Sequence, residues 1–156
     1  MKARSPQLRL RLDAAAPDRA ERWRDGAGLT YLGSTLILKL DTDRGTAVRE
    51  DDALHLPLPP GASPRQIQDG AEAWLRQQAS RLIGASIARQ TPGNPRWALS
   101  FAARGGPAQV AADGVLRFNW RLIEQPAAVI DQVVARAVAA LPRAEAGADL
   151  WSLSPA

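Results

Sequence analysis

A chain of 156 residues with 46% hydrophobic content suits one domain, or a small lobe beside a larger one, and is long enough to bury a core. The formal charge is a modest +4, and its basic side is nearly all arginine, Lys2 and Lys39 being the two lysines. The lack of cysteine excludes disulfides, thiolate catalysis and cysteine-based zinc sites, and no apolar run approaches the roughly 20 residues of a membrane span.

From the N-terminus, Leu8, Leu10 and Leu12 alternate with Arg9 and Arg11 and predict a short strand. Asp13 to Arg24 reads as a helical or irregular connection, and Asp25-Gly26 as a turn. Leu29 to Leu40 reads as strand with a kink at Gly33-Ser34. Thr46 to Arg49 and Ala53 to Leu58 are further strands around the acidic turn Glu50-Asp51-Asp52, and together these segments predict a small antiparallel β-meander. Pro57, Pro59, Pro60 and Gly61 close that lobe.

Ser63 followed by Pro64 marks a helix start, because proline fits where the first amide has no intrahelical partner. Ile67, Ala71, Trp74, Leu75, Ala79, Leu82, Ile83 and Ile87 recur at helical spacing, so a long amphipathic helix runs on until just before Pro92-Gly93. Arg96 to Ala102 and Val115 to Ile123 read as two strands of a hairpin with a long connection. In the second, Leu116, Phe118, Trp120 and Leu122 share one face and Arg117, Asn119 and Arg121 the other. A final helix begins near Pro126, carries Ile130, Val133, Val134, Ala137, Val138 and Leu141 on its apolar stripe, and stops at Pro142. A last helical turn would hold Leu150 and Trp151. The fold class is therefore α+β.

The Met1 to Ala16 stretch has charges but no continuous apolar run, so it does not read as a signal peptide, and a soluble cytoplasmic protein is expected. The one histidine, His55, sits between Leu54 and Leu56 on a strand and is expected to be structural. Arginines near the N-terminus are interleaved with Asp13, Asp18, Glu21 and Asp25, which gives a mixed local field rather than a basic stripe.

Several strings together resemble the YgjP-like family of metal-dependent hydrolases, relatives of the SprT-like zincins. They are Pro95-Arg96-Trp97-Ala98-Leu99-Ser100, Leu116-Arg117-Phe118-Asn119-Trp120-Arg121-Leu122-Ile123, and Pro126 to Val134, supported upstream by Leu56 to Ala62 and Trp74 to Ala79. The resemblance implies a zincin-like domain over 29–156, made of a β lobe (29–61) and a helical and hairpin lobe (63–156), behind an N-terminal extension (1–28). It also implies a His-Glu-x-x-His motif on the last helix, where two imidazoles one turn apart converge on zinc and the glutamate polarises its water. Here the first histidine position is Arg136, the glutamate position is Ala137 and the second histidine position is Ala140. The family's third ligand position corresponds to Ala146.

None of these four vestigial positions carries a metal donor, so no catalytic residue, metal or cofactor is expected. Asp131 lies almost a turn and a half before Arg136 and is expected to point elsewhere. The reading is a pseudoenzyme kept for binding or regulation, with Arg136, Arg121 and Asn119 as candidate ligand contacts. Its partner would be a protein or peptide, an active family member being one form, and an extended peptide could add to the Val115 to Ile123 strand or to the Trp97 strand, whichever has an open edge. The alternative is a nucleic-acid accessory module using Arg96, Arg104, Arg117, Arg121, Arg136 and Arg143. The emptied cleft is expected either to accept a ligand with a carboxylate beside Arg136 or to close under Leu141, Leu150 and Trp151.

Overall fold

The computed structural model describes residues 19–141. The first-strand expectation at Leu8 to Leu12, Arg143, the third ligand position Ala146 and the closing residues Leu150 and Trp151 lie outside the described residues. In order, the elements are α1 (Arg19–Arg22), β1 (Gly28–Tyr31), β2 (Ser34–Leu40), β3 (Val48–Glu50), β4 (Ala53–Leu56), α2 (Pro64–Gln90), β5 (Trp97–Ser100), β6 (Ala108–Val110), β7 (Leu116–Asn119), a 3-10 turn (Trp120–Glu124) and α3 (Ala127–Ala139). The expected α+β class holds.

The chain divides into two compact units. The first holds the chain up to Thr30 together with Thr35–Trp74, and the second holds Tyr31–Ser34 with the chain from Leu75 onward. In the first unit, alternation in β1 and β2 buries Leu29, Leu36 and Leu38. The sheet order is β1-β2-β4-β3, with β2 and β4 parallel and β3 and β4 antiparallel. The sheet is therefore not the all-antiparallel meander expected. Alternation assigns each side chain to a face but leaves open which neighbour a strand pairs with. Here the tight turn at Asp51 (φ 54°) pairs β3 with β4, and β4 comes to lie between β3 and β2.

What reads as a kink at Gly33-Ser34 is a two-residue hairpin turn. Leu32 and Gly33 both have positive φ, 49° and 79°, the backbone needed for a tight turn between antiparallel strands. The tip is held within the second unit: Leu32 N donates to Ile123 O and Gly33 N to Glu124 O, each at 2.8 Å. A Cβ at position 33 would stand 2.9 Å from Pro126 Cγ.

Helix α2 opens on a reciprocal cap. Gln66 N donates to Ser63 Oγ (3.1 Å) and Ser63 N to Gln66 Oε1 (2.8 Å), so two otherwise unpaired amides are satisfied. Of its expected stripe, Ile67, Ala71, Trp74, Leu75, Ala79, Ile83 and Ile87 are buried, and Leu82 is half-buried. Ser86, buried among these apolar residues, is explained by Asp131, whose Oδ1 accepts from the Ser86 hydroxyl at 2.6 Å.

In the second unit the sheet order is β5-β7-β6. The two strands expected to form a hairpin, β5 and β7, run parallel, in the register Trp97↔Leu116 to Ser100↔Asn119. The hairpin partner of β7 is instead β6, which the sequence reading placed in a loop. The second strand is also shorter than expected: it stops at Asn119, and Trp120 and Leu122 are buried from a 3-10 turn rather than from a strand face.

Two substitutions test these local determinants. Ser63→Ala removes a side-chain cap and should cost about 1 kcal/mol in denaturant unfolding. Gly33→Ala adds a Cβ at positive φ and against Pro126, and should cost more than Ser63→Ala. A Gly33→Ala protein as stable as the parent would show that the turn is not held as described.

Candidate ligand cleft of the second unit

Helix α3 has two working faces. Ile130, Val134 and Ala137 are buried, and this i, i+4, i+7 stripe fixes the helix against its unit. About one residue round, Val133, Arg136 and Ala140 line a cavity of about 290 Å³ together with Ala137, Pro107 and the β6 strand. The helix gives out here, since Ala140 N donates to both Arg136 O (3.0 Å) and Ala137 O (3.1 Å). The three described positions to which the resemblance assigns metal chemistry, Arg136, Ala137 and Ala140, thus come together on one wall. Arg136 and Ala140 are exposed and Ala137 is buried.

A second cavity of about 370 Å³ shares Pro107 and Val133 with the first. Asn119 and Arg121 line it. Asn119 caps the 3-10 turn, its Oδ1 accepting from Arg121 N (2.9 Å) while its Nδ2 donates to Ala102 O (2.9 Å). Arg121 pairs with Glu124 at 2.9 Å, and its guanidinium carbon lies 4.7 Å from the Trp120 ring centre. Of the three candidate contacts, Asn119 and Arg121 therefore meet at the larger cavity and Arg136 stands at the smaller.

Strand β6 borders the smaller cavity and was missed in the sequence because Ala108-Gln109-Val110 carries one β-branched residue between two turn signals. Its pairing settles which edges are open. Pro107 O accepts from Asn119 N (2.8 Å), Ala111 N donates to Val115 O (2.9 Å), and Gln109 faces Arg117. By antiparallel alternation, Ala108 and Val110 turn their backbone N–H and C=O away from β7. Because β7 is flanked on both sides, its strand offers no open edge for a peptide, and of the two candidate strands only the Trp97 strand, β5, lies at an edge. Among the described residues, the edge strands are β5 and β6.

The remaining carboxylates and His55 lie elsewhere. Asp131 accepts from Ser86 and from Arg89 (2.7 Å) and points away from Arg136, as its spacing predicts. His55 is in the first unit, its Nδ1 3.7 Å from Asp41 and its Nε2 3.7 Å from Glu50. Arg44 donates to both carboxylates, at 3.1 and 2.8 Å, and these hydrogen bonds hold Asp41 and Glu50 below the usual carboxylate range. No group of three or more histidine, aspartate or glutamate side chains able to hold a metal ion occurs among the described residues. Among the described residues, the smaller cavity offers alkyl groups, the Gln109 amide and one guanidinium, a lining that does not fit a zinc ion, which takes histidine, cysteine or carboxylate ligands.

Residues 6–136, well over half of the chain, match the YgjP-like metallopeptidase domain family. The chain belongs to the YgjP-like family. No curated protein and no solved structure matches it. The match to the YgjP-like family ends on Arg136, so Ala137 and Ala140 lie beyond it. No helix among the described residues is long and apolar enough to cross a membrane.

Two predictions follow from this geometry. The pairing of Arg44 stabilises the ionised forms of Asp41 and Glu50, so its contribution is present above ordinary carboxylate pKa values and is lost as pH falls through the depressed ones. Arg44→Gln should move both carboxyls back toward ordinary values in an NMR titration, and unmoved titrations would rule out the pairing as the cause. On α3, Arg136→His with Ala140→His places two imidazoles four residues apart at exposed sites and should give a folded protein with measurable zinc affinity. Adding Ala137→Glu buries a carboxylate beside Val134 and should lower stability by about 1–3 kcal/mol without metal. Zinc-independent stability in the triple variant would show that position 137 is less enclosed than it is here.

Proposed function

We propose that this YgjP-like domain is a pseudoenzyme, a family member that binds an extended peptide or protein segment without zinc hydrolysis. The observation that carries the reading is the wall of the smaller cavity. There Arg136, Ala137 and Ala140 occupy the positions that the family resemblance gives to two histidines and a glutamate. Catalytic zinc needs about three protein ligands, and a guanidinium beside two methyl groups supplies none while placing a positive charge where a cation would sit.

The same lining suits a peptide. The outward N–H and C=O groups of Ala108 and Val110 offer main-chain pairing to an added strand. Val133, Ala137 and Ala140 offer an apolar floor, and Arg136 offers a partner for a carboxylate, either an acidic side chain or a chain terminus. A segment of an intact family member could be such a strand, which would make the domain a regulatory subunit.

Zinc content and peptide binding test the two halves separately. Untagged protein should carry no stoichiometric zinc and should melt at the same temperature with and without chelator. Bound zinc whose removal unfolds the protein would overturn the pseudoenzyme reading. Peptides selected from a displayed library should bind, and Val110→Pro should weaken them at least about tenfold while leaving the fold intact, because the lost N–H faces away from β7. Arg136→Ala should weaken peptides bearing a carboxylate. A library that enriches no peptide, or peptides indifferent to Val110→Pro, would overturn the binding reading.

A further inference from the structure

Phe101, 58% exposed, is the one large hydrophobic side chain left open among the described residues. It does not stand alone. The Arg76 guanidinium carbon lies 5.2 Å from its ring centre and 4.9 Å from that of Trp120, and Arg121 lies 4.7 Å from Trp120. Phe101, Arg76, Trp120 and Arg121 thus form an alternating series of rings and guanidinium groups. One end of the series, Phe101, is open to solvent, and the other end, Arg121, lines the larger cavity.

Burial explains Trp120, which is 4% exposed, but it does not explain a phenylalanine held at the surface over a cation. A ring with a charge behind it is a platform for another flat π system. Charge narrows what that system belongs to. From Leu75 to Leu141 the second unit carries eight arginines and no lysine against Asp113, Glu124 and Asp131, a net +5. Arg104 is exposed three residues after Phe101, in the loop whose Gly105 and Gly106 line the larger cavity. That cavity, at about 370 Å³, has room for a nucleobase, and Asn119, Arg121 and Gln125 line it with side chains that can hydrogen-bond a base edge.

We propose that Phe101 and the larger cavity form a binding site for single-stranded nucleic acid, one base stacking on Phe101 and a neighbouring base entering the cavity, with Arg104 on the phosphates between them. Single strands fit better than duplex, because stacking on an exposed ring and entry into a concave site both need unpaired bases. The site adjoins the one in the peptide reading, sharing Pro107 and Val133 with it, but Phe101 and Arg104 belong to this site alone and Arg136 and the β6 edge to the other, so either can fail without the other.

The test is fluorescence anisotropy of the full chain with a labelled single-stranded 12-mer, in DNA and RNA versions, across salt concentrations. Saturable binding is expected, with affinity falling as salt rises. Phe101→Ala and Phe101→Leu should each weaken it about tenfold, and Phe101→Trp should preserve it, since stacking rather than apolar bulk is required. Arg104→Ala should reduce the slope of log K against log salt by about 0.7. Unlabelled duplex of the same sequence should compete poorly. The proposal is overturned by absent binding at low salt, by binding indifferent to Phe101, by Phe101→Leu behaving as the parent, or by duplex competing as well as single strand.

Discussion

The architecture of the second unit depends on how Asn119 ends strand β7. Its backbone N–H donates to Pro107 O, its side-chain amide donates to Ala102 O, and its side-chain oxygen accepts from Arg121 N. One residue thereby ties down the segment after β5, the segment before β6 and the start of the 3-10 turn. Asparagine suits this place because its side chain donates and accepts at once; an aspartate could not make the bond to Ala102 O. The backbone change after Asn119 sends Trp120, Leu122 and Ile123 inward in succession, which a continuing strand, alternating its faces, would not do. Trp120 then takes its place between Arg76 and Arg121, and the carbonyls of Ile123 and Glu124 are presented to the Leu32-Gly33 turn. Both cavities border segments that this one residue holds, the smaller at Pro107.

Which parts of this were legible in the sequence follows from the range of the interactions involved. The start of α2 was readable because Ser63, Pro64 and Gln66 act within one turn, and its stripe because period and burial coincide over 27 residues. The apolar face of α3 was readable for the same reason. Strand pairing was not. Nothing local distinguishes β7 paired in parallel with β5 from β7 folded back on β5, since both satisfy the same alternation. The end of β7 was hidden by the continuing Leu-x-Phe-x-Trp-x-Leu alternation, which fits a strand through Leu122 and is broken by the tertiary contacts of Asn119. The β6 strand had too weak a local signal to register and exists because β7 offers it an edge.

The same division applies to the candidate site. Arg136, Ala137 and Ala140 could be placed on one face from helical spacing alone, and Asp131 could be turned away from them by the same arithmetic. That Asn119 and Arg121 share a second cavity with the loop before β6 could not be read, because it depends on how far the strand runs. The Arg76, Phe101 and Trp120 series joins residues from α2, the end of β5 and the 3-10 turn, so no window of sequence contains it.

Helix α3 keeps the residues that hold it in place apart from most of those that line the cavity. The residues that hold the helix, Ile130 and Val134, do not line either end of the smaller cavity, and those that line it, Val133, Arg136 and Ala140, are not fully buried. A substitution at 136 or 140 therefore alters the cavity and leaves the packing stripe alone. Ala137 is the exception, belonging to both faces at 6% exposure. A carboxylate there is tolerable when a cation faces it and costly when none does, because a buried charge without a partner loses its hydration and gains nothing in return. A methyl group at 137 is the side chain that asks least of these surroundings, and alanine favours the helix in its last turn as well. Arginine at 136 and alanine at 137 divide the wall between them: the first places a positive charge at the rim, and the second an apolar floor.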